Sequence, residues 1–399
     1  MITWNHFRIA SAVTAVVGLL FMGNRLGADE PTRGEGRPTS LELPKSRSFH
    51  MGFTTTWTMD FATRAGKSPE AIERMYKTAA KHADMIAFHR EAYDIPWPEA
   101  LAERPRPKTV EEEIALRKSR LRNDQKVYLA VTPLSFPARN ALAPYLGNQG
   151  SSVWQRQNFD DPEVIAAYTN HCRRMIREFE PDYMAYGIEV NILARSNPIG
   201  FRKYLVMTKK VYEVLKKENP NLPIFLTFQI DNYHNDKENQ RAVIRQLLPY
   251  TDYMAVSCYP YMRGHTPDNL PQDWFSQVAE LAPSKPFAIA EAGYPSEDVV
   301  GRLIRGQNVR VRASAQWQAR YTRFILKESN RLNGKFVVWF FFHDYDAFLD
   351  QFEGEELRKV QFLRWWRDNG MVDGDGNPRE ALGIWDEWLK LPHRDLPRL

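Results

Sequence analysis

Tyr183-Met184-Ala185-Tyr186-Gly187-Ile188 is a short run with little polar content. A helical pattern follows over 199–218, and then a second apolar run, Ile224-Phe225-Leu226-Thr227-Phe228. Strand, helix, strand is the unit of a parallel sheet, because parallel neighbours need a crossover of a dozen or more residues. Strands covered by helices on both faces read as nearly continuous apolar runs, as these two do. Working outward, the same unit recurs along the chain. Further β-rich runs stand at Met51–Thr55, Met85–Phe88, Val127–Val131, Tyr253–Ser257, Phe287–Ala290 and Phe336–Phe341, which makes eight with the first two.

Helical patterns separate the runs, near 69–82, 109–122, 161–179, 199–218, 238–249, 271–282, 312–332 and 355–369. Ser68-Pro69-Glu70 and Asp161-Pro162-Glu163 open two of them, with Pro in the first turn and an acid near the positive helix end. Strand then helix, eight times over, predicts an α/β fold: a single-domain (β/α)8 TIM barrel over residues 49–392. The rival is a doubly wound open sheet, but no Gly-rich phosphate loop follows the first run. Ala92–Pro107 and Leu134–Asn158 read as long loops after strands two and three.

The start of the chain reads as a targeting segment. Arg8 precedes the apolar run Ile9–Met22, and Leu26-Gly27-Ala28 offers small residues for cleavage. The expectation is a signal peptide at 1–28, a polar linker at 29–48 and a secreted or periplasmic protein. The run is short for a bilayer, so no stable membrane span is expected if the signal is removed. The chain of 399 residues carries 54 basic and 49 acidic residues in interleaved order, net +5, without a basic block. That pattern argues against a nucleic-acid partner. The only two cysteines, Cys172 and Cys258, fall in a helix and at a strand end, and are expected to be buried thiols.

In a barrel of this kind the chemistry sits where the strands end. Strand two ends in His89-Arg90-Glu91, strand four in Glu189-Val190-Asn191, and strand five in Gln229-Ile230-Asp231-Asn232. Strand six ends in Ser257-Cys258-Tyr259-Pro260-Tyr261, strand seven in Glu291-Ala292-Gly293-Tyr294-Pro295, and strand eight in Trp339-Phe340-Phe341 and His343-Asp344. Glu189 and Glu291 are the sharpest features, since carboxylates rarely follow apolar strands without a partner or a task. Two carboxyl groups across an acetal bond are what glycoside cleavage needs. The alternative is that each is a buried ion-pair partner of a residue such as Arg90 or Arg195.

The segment Ala288-Ile289-Ala290-Glu291-Ala292-Gly293-Tyr294-Pro295-Ser296 resembles the strand-seven nucleophile motif of glycoside hydrolase clan A, in the variants of families 53 and 17. Ser257-Cys258-Tyr259-Pro260-Tyr261 resembles the strand-six motif of family 53, and Gly187-Ile188-Glu189 aligns with the clan's strand-four Gly-Asn-Glu. The resemblance implies Glu291 as nucleophile, Tyr259 as its hydrogen-bond partner, Glu189 as acid/base, and Trp339 as the stacking platform under the sugar. The chain departs from the clan at Ile188, where the usual asparagine holds a sugar hydroxyl. Asn191 is the candidate substitute.

His89, Arg90, Gln229, Asn232 and Tyr261 are further candidates for substrate hydroxyls, and Trp57, Trp154, Tyr294 and Trp317 are rim aromatics that either stack on sugars or pack. Asp373-Gly374-Asp375-Gly376-Asn377 starts like a calcium loop, but Pro378 stands in place of the required glycine, so a tight turn is expected. No cysteine–histidine set has zinc spacing. The sequence therefore predicts a retaining glycosidase without a cofactor or metal, acting as a monomer on an extracellular β-linked polysaccharide or oligosaccharide. The rival is a catalytically weak glycan-binding barrel, which Ile188 favours.

Overall fold

The computed structural model describes residues 43–54, 62–63, 65–90, 95–145, 153–302 and 308–394. The expected signal segment, Trp57 and Glu91 lie outside them, as does all of the linker before Leu43. In chain order the elements are β1 (His50–Thr54), α1 (Pro69–Lys81), β2 (Met85–Arg90), α2 (Trp97–Leu101), α3 (Lys108–Lys118), β3 (Lys126–Val131), α4 (Pro162–Phe179), β4 (Tyr183–Ala185), α5 (Asn191–Ser196) and α6 (Pro198–Glu218). There follow β5 (Ile224–Phe225), β6 (Thr227–Gln229), α7 (Ile230–Asn235), α8 (Lys237–Leu247), β7 (Met254–Cys258), α9 (Ser276–Ala279) and β8 (Phe287–Ala292). The chain ends with β9 (Val299–Arg302), β10 (Asn308–Val311), α10 (Ala315–Arg331), β11 (Phe336–Trp339), α11 (Asp346–Leu349), α12 (Gly354–Val360) and α13 (Glu380–Leu389).

Nine strands form one sheet in the order β5-β4-β3-β2-β1-β11-β8-β7-β6, all parallel. The two strands at the ends of that order, β5 and β6, are one strand broken at Leu226. The Leu226 N–H leaves the ladder and donates to Thr251 Oγ1 at 3.0 Å. Across the break Thr227 N donates to Gly187 O, so the ring closes and the eight runs of the sequence become the eight staves of a barrel.

Period-two alternation sorts the barrel strands. Ala87, Tyr128, Ala130, Ala185, Phe225, Ala255, Ala288, Phe336 and Val338 fill the interior. Their neighbours Ile86, Phe88, Leu129, Met184, Phe228, Val256, Ile289 and Val337 pack outward with the helices. Tyr128, Phe225, Phe336 and Tyr253 plug the lower barrel with ring centroids 5.0–5.9 Å apart for the pairs Tyr128–Phe336, Phe225–Tyr253 and Tyr128–Phe225. Side-chain caps fix several helices. Ser68, Asn197 and Ser314 accept from Ala71, Gly200 and Trp317 N–H groups, at 3.2, 2.8 and 3.2 Å.

Four differences from the sequence reading have local causes. The helix expected at 271–282 is reduced to α9, bracketed by Pro271 and Pro283, and residues before proline avoid helical torsions. The pattern at 355–369 divides into α12 and a 3-10 turn, Gln361–Trp365. The loop expected at 92–107 contains α2, whose Trp97 is buried and donates from Nε1 to Ala143 O at 2.9 Å. An antiparallel hairpin, β9 with β10, interrupts the path from β8 to α10. Both cysteines are free and buried, Cys172 in α4 and Cys258 ending β7. Among the described residues no helix is long and apolar enough to cross a membrane.

Candidate active site

The alternation that fills the barrel floor also decides which side chains reach its mouth. On β2, Met85 and Ala87 point inward, so His89 does too and Arg90 does not. On β7, Ala255 is followed on the same face by Ser257 and Tyr259. On β8 the rule is broken in a useful way. Ala288 pairs Ala255 and Ile289 pairs Val256, but Ser257 pairs Glu291, so Ala290 is an extra residue in the strand. The same extra residue appears against β11, where Val337 pairs Ile289 and Trp339 pairs Ala292. A bulge turns the next side chain to the other face. It brings Glu291 into the barrel mouth, where strict alternation would aim it at the helices.

Glu291 is buried. Tyr259 Oη donates to its Oε1, and His89 Nε2 lies 2.8 Å from its Oε2. Burial raises the Tyr259 hydroxyl well above its ordinary value, and the charges of Glu291 and then Glu189 add to the effect, so both carboxylates act on this phenol. Glu189 follows Ile188, which is itself in the barrel interior. Its backbone is left-handed, at φ 50°, a conformation that costs a side-chain-bearing residue about 1 kcal/mol or more. The turn holds because Glu189 N donates to Thr227 Oγ1 at 2.9 Å. Gly187 just before it has no room for a side chain: a Cβ there would lie 2.5 Å from Tyr204 Oη and 2.8 Å from side-chain carbons of Leu226 and Val190.

The Glu189 carboxyl accepts from Ser257 Oγ at 2.7 Å, and Arg139 Nη2 lies 3.5 Å from its other oxygen. Since Ser257 stands opposite Glu291 in the ladder, a single residue of β7 links the two carboxylates. Arg139 was not among the sequence candidates. It lies in the 134–158 stretch, has φ 50° itself, and reaches the site with its side chain.

The remaining candidates divide clearly. His89 joins the site. Gln229 reaches the rim, where its Oε1 accepts from Asn232 Nδ2, and Asn232 Oδ1 accepts from Arg263 at 2.7 Å. Arg90 does not join it: pointing outward, it pairs with Glu113 of α3 through Nη2 at 2.7 Å. Despite burial, Arg90 and then Arg117 hold the Glu113 carboxyl down at about 2. Asn191 is fully buried and spends its amide on β6 and α8, donating to Gln229 O and Gln240 Oε1 and accepting from Gln229 N, at 3.0, 2.7 and 2.8 Å. It has no group left for a sugar hydroxyl, which corrects the suggestion that it replaces the missing asparagine. Tyr261 is buried too, donating from Oη to Trp365 O at 2.7 Å.

Trp339 needs the same correction. It faces outward with Val337, has no exposed surface, and donates from Nε1 to Asn369 O at 2.7 Å. It cannot stack under a ligand. The inward residue of that strand end is Phe340, whose ring centroid lies 5.5 Å from His89 and 5.8 Å from Tyr259. Alternation from Phe336 and Val338 would have identified it. Of the rim aromatics, Trp154 stacks on Trp97 at 5.6 Å, Tyr294 donates to His265 O at 3.2 Å, and Trp317 lies in the first turn of α10, its backbone N–H donating to the Ser314 cap at 3.2 Å.

Asp344, Asp346 and Asp368 bring carboxylate oxygens within 4.8 Å of one another. Arg379 lies 2.6 Å from Asp344, and Arg367 lies 3.2 Å from Asp346 and 2.8 Å from Asp368, so cations already occupy the cluster. Residues 373–377 form the expected turn, with Asp373 Oδ1 accepting from Asp375 N and Asn377 N at 3.0 and 2.8 Å.

No protein-family model matches the sequence, and no curated protein matches it. Solved structures do. A GH5_18 protein from Streptomyces cattleya, in complex with GlcNAc, superposes with TM-score 0.61 at 14% identity over 86% of this chain and 80% of that one. A GH5_18 protein from Bifidobacterium longum subsp. infantis gives 0.60 at 15% identity over 88% and 80%. The exo-β-1,4-mannosidase Op5Man5 from Opitutaceae bacterium strain TAV5 gives 0.61 at 14% over 86% of this chain and 59% of its own. The chain has the barrel fold of these family 5, clan A glycosidases. The narrower resemblance to families 53 and 17 finds no support among them.

Proposed function

We propose that this chain is a retaining glycoside hydrolase acting on a β-linked glycan outside the cytoplasm. The observation that carries the reading is the junction at Ser257: one strand residue donates to Glu189 and stands opposite Glu291, which Tyr259 and His89 also contact. Two carboxyl groups so placed match the requirement for cleaving an acetal. Glu291, oriented by Tyr259, attacks the anomeric carbon and forms a glycosyl ester. Glu189 gives its proton to the departing oxygen. In the second half, Glu189 takes a proton from water, the hydroxide attacks the same carbon, and Glu291 leaves. Phe340 supplies the apolar face beside the reacting ring. The likeness to family 5 glycosidases, named for a mannosidase in one case, supports the reaction class. The expected export segment, Arg8 followed by Ile9–Met22, supports the location.

A second reading, a glycan-binding barrel with weak or no turnover, is favoured by two specific observations. Ile188 is sealed in the barrel interior and offers no hydrogen bond to a sugar. Arg139 Nη2 lies 3.5 Å from the Glu189 carboxyl, so the group assigned as acid is already engaged by a cation. The test is a screen of β-linked oligosaccharides with the full chain and with Glu291→Gln. Release of reducing sugar that the variant loses by at least about a thousandfold supports the enzyme. Binding of the same glycans without release supports the second reading.

A further inference from the structure

Buried arginines in this protein come with carboxylates. Arg90 has Glu113, Arg106 has Glu111 and Glu178, and Arg379 has Asp344, each within 2.9 Å. Arg263 is different. It ends the 3-10 turn Pro260–Arg263, four residues after Tyr259, and is half-buried, with its Nε shut off from solvent. Its hydrogen bond goes to a neutral amide oxygen, Asn232 Oδ1, and its Nε has no partner. Among the described residues it forms no ion pair. Asp231, the acid that acts on it electrostatically, is turned to the backbone, accepting from Tyr259 N at 2.7 Å, and its own burial raises it to about 6.

A second cation and an acid also act on it, in opposite directions. Arg195, on the helix that follows Glu189, acts on Arg263 as a like charge. Burial lowers Arg263 to about 10; Asp231 opposes that shift, and Arg195 adds to it by less than Asp231 takes away. Arg195 forms no ion pair among the described residues either. A half-buried positive charge with no ion-pair partner is costly, and part of the cost is recovered when a ligand brings an anion.

The position of Arg263 says which ligand. Asn232, its partner, donates to Gln229, and Gln229 stands beside Ser257, the donor to Glu189, in the β6–β7 ladder. The guanidinium is therefore joined to the acid carboxylate at the strand ends through Asn232, Gln229 and Ser257. We propose that Arg263 forms an anion-binding subsite in the catalytic cleft, and that the glycan acted on carries a carboxylate or sulfate near the cleaved bond. The inference rests on the glycosidase reading for its location, but its charge preference is testable apart from turnover.

The experiment compares matched glycans on the full chain: β-linked oligouronides against the same oligosaccharides with carboxyls reduced to hydroxymethyl groups, and sulfated oligosaccharides against their desulfated forms. The expected result is a kcat/KM at least tenfold higher for one anionic series, expressed mainly in KM and falling as salt rises from 0.05 to 0.5 M (concentrations on the scale over which screening sets in). Arg263→Gln is expected to bring the anionic-to-neutral ratio close to one, and Arg263→Lys to keep part of it; circular dichroism checks that both fold. The wild-type ratio and its salt dependence stand on their own if Arg263→Gln does not fold. Which series is preferred distinguishes carboxylate from sulfate. Equal or better turnover of the neutral forms, abolished by Glu291→Gln, overturns the subsite and leaves the glycosidase. If nothing is hydrolysed, calorimetry on the same pairs decides: tighter anionic binding lost in Arg263→Gln supports the subsite and counts against the hydrolase, and equal binding overturns the subsite.

Discussion

Tyr259 and Tyr261 are two residues apart, their ring centroids are 6.2 Å apart, and both are buried. Removing one oxygen from each should nevertheless have opposite consequences. The Tyr259 hydroxyl donates to the Glu291 carboxylate, whereas the Tyr261 hydroxyl donates to the Trp365 carbonyl and accepts from Asn369. A hydrogen bond to a charged group contributes about 1.5–3 kcal/mol, and a neutral one about 1 kcal/mol. If the Tyr259 bond positions the nucleophile for attack, Tyr259→Phe should lower kcat/KM by roughly 10- to 100-fold, since each 1.36 kcal/mol is a factor of ten. His89 keeps one contact on the other oxygen, so the loss should stop well short of that for Glu291→Gln. Tyr261→Phe should instead leave kcat/KM within about threefold and lower the melting temperature by about 2 °C. The assay is initial-rate kinetics on the best substrate from the glycan screen, with melting followed by circular dichroism. Equal kinetic losses in the two variants, or an unimpaired Tyr259→Phe, would refute the placing of Tyr259 on the nucleophile.

Other outcomes follow from the same contacts. Arg90→Met should destabilise the fold by about 3 kcal/mol in chemical denaturation, because it leaves Glu113 buried with less compensation, yet change kcat less than threefold if Arg90 serves structure only. Gly187→Ala should cost about 1–3 kcal/mol, since its Cβ would meet Tyr204, Leu226 and Val190; a neutral substitution would contradict the tight turn into Glu189. His171 is fully buried, its Nε2 has no partner, and burial, aided by Arg106, lowers it to about 3. Its folded value lies below the unfolded one, so the unfolded chain binds the proton first. Stability is lost as pH falls from about 6.5 towards 3, at up to about 1.4 kcal/mol per pH unit. Urea unfolding of His171→Phe across that window should be correspondingly less acid-sensitive, and an unchanged slope would count against the assignment.

The barrel was legible because its signal is repeated. Eight apolar runs at strand length, each followed by a helical pattern, leave little choice of topology, and the break at Leu226 does not disturb the count. The two glutamates were legible because they are charged residues directly after apolar strands. Their surroundings were harder to read. Which of His89 and Arg90 faces inward follows from alternation that begins at Met85, and Phe340 over Trp339 follows from Phe336 and Val338. Glu291 could not be read that way, since the extra residue Ala290 reverses the phase, and only ladder pairing reveals a bulge. Arg139 and Arg263 were invisible for another reason. Both sit outside the strands, in a loop and a turn, where sequence distance says nothing about proximity. Asn191 looked available because a polar residue near an active carboxylate usually is; its use as a tie between β6 and α8 depends on Gln240, 49 residues on.

The central claim is that Glu291 becomes covalently bonded to the sugar. A 2-deoxy-2-fluoro glycosyl fluoride, of the sugar preferred in the glycan screen, slows release of such an intermediate more than its formation. Intact mass followed by peptide mapping reads the result directly. The account predicts one added fluoroglycosyl group, on the peptide containing Ala288–Ser296 and at Glu291. An adduct on another carboxylate, or none from a chain that still hydrolyses the parent glycoside with inversion, would contradict it.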